Sequence, residues 1–286
     1  MNPLLAGLGA AVAWGVADYA GGLASRRIPA IWTSIGMQAS GAVLFGGALL
    51  VLGRWPALDG AVVAWGAGLA AIGASALLFL YRGLALGPIA VVSPISAGYS
   101  AITVLLVVVF LGDRVSVGEA VAIAVTFAGI ALASTDLRQV LALRGRPLPG
   151  VPSALVAMVG FGAWGALIAA ASRDHDELAL ILVGRAAGFL FMILIAFAMR
   201  SAPPGDRRRG TLAMVLLTGA VDTLANVLFV FGVASGEAAI VATASGMYPL
   251  VPAVLAIVFL GERLAPNQYA GVAVLIAGLA GLGLQR

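Results

Sequence analysis

Four charged residues interrupt long apolar runs of this sequence: Asp18, Arg82, Arg185 and Asp222. A charged side chain is costly in an apolar medium, so such residues usually face the interior of a helix bundle or a wet cavity, where they take part in function. These four residues are therefore the first candidates for chemistry in the chain.

Arg185 and Asp222 are predicted to form a buried ion pair. Arg185 lies seven residues into the run 178–200, and Asp222 lies eleven residues into the run 211–234. At a rise of ~1.5 Å per residue and with consecutive helices running in opposite directions, the two side chains reach similar depths. Asn226 follows Asp222 by one turn and shares its face. Arg185 would receive a substrate carboxylate, with Asp222 holding the guanidinium or receiving an amine; the alternative is a purely structural ion pair.

Asp18 has no basic residue clearly at its depth, and Arg82 is the nearest. A carboxylate without a cationic partner in a medium of low dielectric constant can carry a proton, which makes Asp18 a candidate coupling residue. The alternatives are hydration at an aqueous opening and pairing with Arg82. Gln38 is a further polar candidate, either as a substrate contact or as a hydrogen-bonding link between helices. Trp14, one turn before Asp18, is either a packing residue or a cavity residue.

Hydroxyl groups form a second candidate set. Ser96 and Tyr99 are three residues apart, as are Ser245 and Tyr248, so each pair shares one face of a helix. We expect these two faces to line a cavity and bind substrate.

Prolines lie close to both hydroxyl pairs, at Pro94, Pro249 and Pro252. Proline inside a helix removes a backbone hydrogen bond, and in lipid the freed carbonyl must be satisfied by protein or by cavity water. These prolines are candidate hinges, although an ordinary packing kink would give the same pattern.

The composition identifies the medium in which these residues lie. Of the 286 residues, 62% are hydrophobic and 10% are charged, whereas a soluble domain has roughly 25% charged residues. This excludes a soluble enzyme, a soluble nucleic-acid-binding protein and a disordered chain. Uniformly apolar runs of about 20 residues favour membrane-spanning helices over the alternating segments of a barrel. We predict an all-α polytopic membrane protein with ten transmembrane helices, at 3–24, 32–53, 61–86, 88–111, 117–134, 152–171, 178–200, 211–234, 237–260 and 267–284.

The ten helices are predicted to form two copies of a five-helix unit. A shift of 149 positions aligns residues 83–133 with 232–282 without a gap, and 18 of the 51 positions are identical. Because each unit has an odd number of helices, the copies must have opposite orientations, as in the inverted repeats of many secondary transporters. The predicted division is a first repeat at 1–134, a connecting loop at 135–151 and a second repeat at 152–286.

Small residues four apart predict close helix packing. Two such pairs match each other at the same shift, namely Ala124 with Ala128, and Ala273 with Ala277.

Several of these features resemble one family. Ala13-Trp14-Gly15 recurs as Ala163-Trp164-Gly165, and Phe110-Leu111-Gly112-Asp113-Arg114 recurs as Phe259-Leu260-Gly261-Glu262-Arg263. With the five-plus-five arrangement, these motifs resemble the drug/metabolite transporter superfamily and, within it, paired EamA domains. The resemblance implies a secondary transporter of the bacterial cell (inner) membrane. Its substrates would be small polar metabolites such as amino acids, or drugs, and it would export or exchange them. Some relatives couple transport to protons, and others are exchangers or facilitators.

Other classes of function find less support in the residues. His175 lies in a short polar connection that water solvates in any case, so no metal and no cofactor are expected. Arg207-Arg208-Arg209 is interpreted as a topology signal or a contact with anionic lipid, without nucleic acid. An intramembrane enzyme would need a nucleophile with a nearby base or a His-Glu-x-x-His motif, which is absent. An intramembrane enzyme and a non-transporting scaffold or receptor stay open as alternatives.

The orientation in the membrane is left open by two conflicting signals. With ten spans both termini lie on one side, and the connections on that side carry four arginines against ten on the other side. The positive-inside rule then places the termini outside, whereas the family resemblance implies termini inside.

Overall fold

Long apolar segments become helices in a bilayer because each backbone N–H and C=O must be hydrogen-bonded within its own segment. The computed structural model describes residues 1–87, 89–135, 137, 149–205, 208–251, 254 and 265–284, and these residues contain helices and no strand. Several helices start where a side chain accepts a backbone N–H, at Asn2, Asp59, Ser116 and Asp176. The helices are α1 (Pro3–Ser25), α2 (Ala30–Val51), α3 (Gly60–Leu86), α4 (Ile89–Ala97), α5 (Tyr99–Leu111), α6 (Val117–Ser134), α7 (Val151–Ala171), α8 (Glu177–Ala198), α9 (Arg209–Val233), α10 (Ala238–Ser245) and α11 (Pro266–Leu284).

The predicted fold class is confirmed: the chain is an all-helical, multi-pass membrane protein. Seven helical segments in the described residues are long and apolar enough to cross a membrane, and two further apolar helices cover 117–133 and 266–282. The outer ends of the described helices lie within two residues of the predicted spans. The predicted span 237–260 is described up to residue 251 and at residue 254.

The contact between α6 and α11 shows that the two repeats are inverted. Along the series of contacting pairs given below, residue numbers rise in α6 while they fall in α11, so the two helices are antiparallel. A shift of 149 positions turns the pair Thr126–Gly278 into the pair Leu275–Gly129, so each repeat contributes the same contact in the opposite direction. The contacting pairs are Ala122 with Gly281, Thr126 with Gly278, Gly129 with Leu275 and Ala133 with Gly271.

The remaining helix contacts obey the same pseudo-two-fold relation. The packing of α1 on α9 has its counterpart in α7 on α3, and that of α2 on α9 has its counterpart in α8 on α3. The packing of α1 on α10 corresponds to that of α7 on α4, while α2 on α8 lies across the axis itself. The two repeats are therefore interleaved, and each helix of one repeat packs mainly on helices of the other.

The predicted small-residue packing was wrong in its choice of residues. Ala124, Ala128, Ala273 and Ala277 are exposed on the outer faces of α6 and α11. The two backbones approach along the neighbouring face instead, because glycines there lack the Cβ that would separate them.

Two helical segments are interrupted at repeat-related places, and one of the predicted prolines lies in an interruption. The first break falls at Gly98, after α4, where the backbone makes a short-range bond from the Gly98 N–H to the Ile95 carbonyl at 3.1 Å. After α10, residues 246–249 form turns with the same three-residue spacing of hydrogen bonds, and Pro249 lies in these turns. Pro94 lies within α4, and Pro252 lies outside the described residues, so the hinge roles stay predictions.

Asp113, in the loop between α5 and α6, contacts the loop between α7 and α8 and the start of α10. All three lie on the side of the membrane that holds the chain termini. The carboxylate of Asp113 accepts a hydrogen bond from Arg173 at 3.3 Å and another from the backbone N–H of Ala239, in the first turn of α10, at 3.2 Å. The Asp113 side chain is 5% exposed, against 47% for Arg173. The acidic residue of the Gly-Asp-Arg motif thus caps a helix of the other repeat.

We expect Gly278→Ala to lower the free energy of unfolding by about 1–3 kcal/mol, because the new Cβ overpacks the α6 backbone. It would lie 2.6 Å from the amide nitrogen of Thr126, which cannot move aside as a side-chain end could. The matched control is Gly47→Ala in α2, where nothing lies within 4 Å. Unfolding in detergent followed by circular dichroism measures both variants. Equal stability of the two variants would contradict the described contact.

We expect Asp113→Ala to destabilise the protein by about 1–2 kcal/mol through loss of the α10 cap. Arg173→Ala removes only the exposed partner and should cost less than about 1 kcal/mol. The same unfolding measurement compares them. A larger effect of Arg173→Ala than of Asp113→Ala would show that the ion pair, and not the cap, dominates this contact.

Candidate functional site

A cavity of about 110 Å³ lies at the centre of the molecule and is lined by both repeats. Helices α1, α2, α3 and α5 contribute from the first repeat, and α7, α8, α9 and the turn after α10 contribute from the second. Its polar lining residues are Asp18, Gln38, Arg185, Asp222 and Asn226, and its aromatic lining residues are Trp14, Tyr99, Phe161, Trp164 and Tyr248.

A buried polar network occupies one side of this cavity. Arg185 donates to a carboxylate oxygen of Asp222 through one terminal nitrogen and to Oε1 of Gln38, at 2.9 Å, through the other. The side-chain nitrogen of Asn226 donates to the same oxygen of Asp222 at 3.1 Å. Arg185 is 5% exposed and Asp222 is 6% exposed. The predicted ion pair is therefore present, while its role in substrate recognition stays a prediction.

Glycines bring the three helices of this network close together. A Cβ added at Gly41 of α2 would lie 3.3 Å from Cδ of Arg185, and one added at Gly188 of α8 would overlap the amide of Gln38. Between α2 and α9, Gly219 lies against Ser40 in the same way. The local sequence thus gives α2, α8 and α9 the short separations that let Arg185 reach both of its partners.

Asp18 lies in the same cavity without a partner. It is 6% exposed, and within the described part of the chain its carboxylate makes no hydrogen bond and no ion pair. Arg82, the nearest basic residue in the sequence prediction, is exposed on α3 and does not pair with it. Asp18 is close enough to Asp222 for the two carboxylates to interact electrostatically.

The two tyrosines line the cavity, but their serine neighbours do not. The hydroxyls of Tyr99 and Ser245 are 2.7 Å apart, and the hydroxyl of Tyr248 donates to the Ser93 carbonyl at 3.3 Å. Ser96 lies near Tyr248 without a hydrogen bond of good geometry. Ser96 and Ser245 are fully buried and are absent from the lining. The expectation that both serines line the cavity is thus corrected, because they lie behind the tyrosines of the opposite repeat.

Aromatic rings form another part of the cavity lining. Trp14 and Trp164, the repeat-related tryptophans, both pack on Phe229, with ring centroids 5.2 and 5.7 Å apart. Phe161 packs on Tyr99 at 6.2 Å and was not among the sequence candidates. A search for polar residues could not have found Phe161; its position one turn before Trp164 was the available signal.

The cavity has the composition of a ligand site. It combines charged and amide groups with aromatic rings between the two repeats, and ligand sites commonly have such a lining. Its three charged lining residues are Asp18, Arg185 and Asp222, with a formal sum of −1. The described residues contain no group of three or more histidine or acidic side chains placed to hold a metal ion.

A multi-pass helical protein with inverted repeats and a central polar cavity has the architecture of a secondary transporter. The sequence matches the model of the EamA-like transporter family over residues 1–135 and again over 148–284. The chain belongs to this family, and the resemblance to drug/metabolite transporters is confirmed. A crystal structure of a protein superposes with a TM-score of 0.79 at 17% identity and covers 99% of both chains, which shows the fold alone. No curated protein sequence matches the chain.

We expect Arg185→Met to lower the free energy of unfolding by about 3–5 kcal/mol, because it leaves Asp222 charged and buried without its cation. Adding Asp222→Asn to that variant should recover much of the lost free energy of unfolding, because it removes the buried charge. Chemical unfolding in detergent measures both.

The matched control is Arg82→Met, which removes an exposed arginine from α3 and should change stability by less than about 0.5 kcal/mol. If Arg185→Met were no more harmful than Arg82→Met, the ion pair would not be a stabilising element of the core.

Proposed function

We propose that this protein is a secondary transporter that moves a small organic metabolite through the central cavity by alternating access. Amino acids and related compounds, or drugs, are the solutes that the family resemblance implies. The same resemblance supports export or exchange, in the cell (inner) membrane of a bacterium.

The observation that carries this proposal is a central cavity, enclosed by two inverted repeats, that contains polar groups. Inverted repeats give two arrangements of nearly equal energy, in which the same site opens to opposite sides. Polar groups buried in a membrane bundle usually mark the path of a solute or an ion. Here they line the space between the repeats instead of packing against one another throughout.

The lining residues suggest separate roles. Gln38, Arg185, Asp222 and Asn226 form a connected polar surface for recognition. Tyr99 and Tyr248 contribute two repeat-related rings to the lining. Asp18 is the candidate for coupling to protons because no cation in the described residues neutralises it.

We expect Gly184→Leu to abolish transport while leaving the fold intact. Gly184 lines the cavity, and nothing lies within 4 Å of a Cβ built there, so a leucine would fill open space and exclude the solute by overlap. Uptake of labelled amino acids and of their decarboxylated amines into proteoliposomes, with and without a pH gradient, should fall at least about tenfold.

Gly47→Leu is the matched control, since Gly47 also has nothing within 4 Å and is exposed on α2. Its flux should equal that of the unaltered protein, and both variants should keep their melting temperature. Conversion of a solute to a product would instead identify an intramembrane enzyme. Absence of both flux and product for the unaltered protein would favour a scaffold or receptor. Either result would overturn the proposal.

A further inference from the structure

We propose that Asp18 binds the ammonium group of a monovalent organic cation inside the central cavity. This inference rests on the proposed transport function and specifies the chemical class of the solute. It differs from the sequence expectation, in which Arg185 receives a carboxylate.

The charges of the cavity favour a cation. Arg185 and Asp222 neutralise each other through their ion pair, which leaves the carboxylate of Asp18 as the uncompensated charge of the lining. A singly charged cation cancels that charge, whereas a carboxylate ligand would add a second negative charge beside a carboxylate that is only 6% exposed. Like charges repel each other strongly where water is scarce, so binding of a carboxylate ligand is disfavoured.

The positive charge of Arg185 is already balanced by Asp222. One terminal nitrogen of its guanidinium donates to Asp222, and the other donates to Gln38 at 2.9 Å. A carboxylate ligand that shared this guanidinium with Asp222 would place two anions beside one cation in a buried site. Charges that are buried without a full set of counter-charges are strongly unfavourable.

The other titratable groups near Asp18 do not supply a cation. Those that interact with it are Asp222 on α9, Tyr81 on α3, Tyr99 on α5 and Tyr248 after α10. Arg185 on α8 lines the same cavity but is engaged by Asp222. A carboxylate that is 6% exposed and faces this cavity is thus available to a ligand cation or to a proton.

The aromatic lining suits an ammonium group attached to an apolar body. Trp14 precedes Asp18 by one helical turn and shares its face, and the ring of Tyr99 lies 6.2 Å from that of Trp14. Aromatic faces attract cations within about 6 Å of the ring centroid. The volume of about 110 Å³ favours a small amine.

A series of ligands with the same phenyl group and different charge tests this proposal. Isothermal titration calorimetry of the purified full chain in detergent would compare 2-phenylethylamine, phenylalanine, 3-phenylpropionate and 2-phenylethanol. We expect the amine to bind at least about tenfold more tightly than the neutral alcohol. We expect the carboxylate to bind more weakly than either.

Three variants assign the preference to Asp18. Asp18→Asn should remove the tenfold preference for the amine, and Asp18→Glu should restore part of it. Asp174→Asn removes an exposed carboxylate from the loop between α7 and α8 and should leave binding unchanged. The melting temperature of each variant shows whether it is folded, and the response of Asp18→Glu keeps the test valid if Asp18→Asn is unstable.

The outcomes separate this inference from the proposed transport function. Tight binding of 3-phenylpropionate with weak binding of the amine would overturn the cation site, and transport through the cavity could still stand on the Gly184→Leu result. Equal amine binding by Asp18→Asn and the unaltered protein would also overturn it, as would no binding of any compound. Amine binding that depends on Asp18, without flux in proteoliposomes, would support the cation site and overturn the transport function.

Discussion

An arginine that is buried among apolar helices needs an anion beside it, and the centre of this molecule is arranged around that requirement. Arg185 is held by Asp222 on the next helix and by Gln38 from the other repeat. Both contacts depend on glycines that let α2, α8 and α9 approach closely. Because the ion pair is neutral as a unit, the charge of Asp18 determines the net charge of the cavity. The net charge of the site therefore depends on the pairing of Arg185 with Asp222, which leaves Asp18 without a cation.

The scaffold is nearly symmetric, whereas its charges are not. Helices α2 and α8 are both 22 residues long, and the shift of 147 positions that aligns their starts places Gln38 on Arg185. These two equivalent residues are hydrogen-bonded to each other. The pseudo-two-fold axis therefore passes between the amide of Gln38 and the guanidinium of Arg185. At the repeat shift of 149, Asp222 corresponds to Gly73, which also lines the cavity. Duplication thus explains the bundle, and later divergence of single positions explains the site.

The sequence predicted the spans and the ion pair because both follow from the cost of placing polar groups in an apolar medium. Helix length is fixed by membrane thickness, and Arg185 could avoid an unpaired charge only with a carboxylate at its own depth. The sequence did not predict that Ser96 and Ser245 lie behind the tyrosines. A three-residue spacing shows that two residues share a helix face, but it does not show what that face packs against. Ala124 and Ala128 show the same limit, since they share a face that turns outward. The break at Gly98 also depends on packing, here against Met158 of α7, which no local pattern reveals.

The position of each polar group relative to the axis bears on how the proposed transport would proceed. Suppose that the two repeats exchange conformations. A contact on the axis, such as that between Gln38 and Arg185, joins two equivalent positions, so the same contact can be present in both states. A contact far from the axis, such as that between Asp113 and Ala239, has its counterpart at the opposite end of the molecule and would be made in only one state. The hydrogen bond between Gln38 and Arg185 can therefore remain in place throughout a cycle, so Arg185 keeps a buried acceptor in both states. Contacts near the ends of the helices would be the ones that form and break, and water can solvate the groups that separate there.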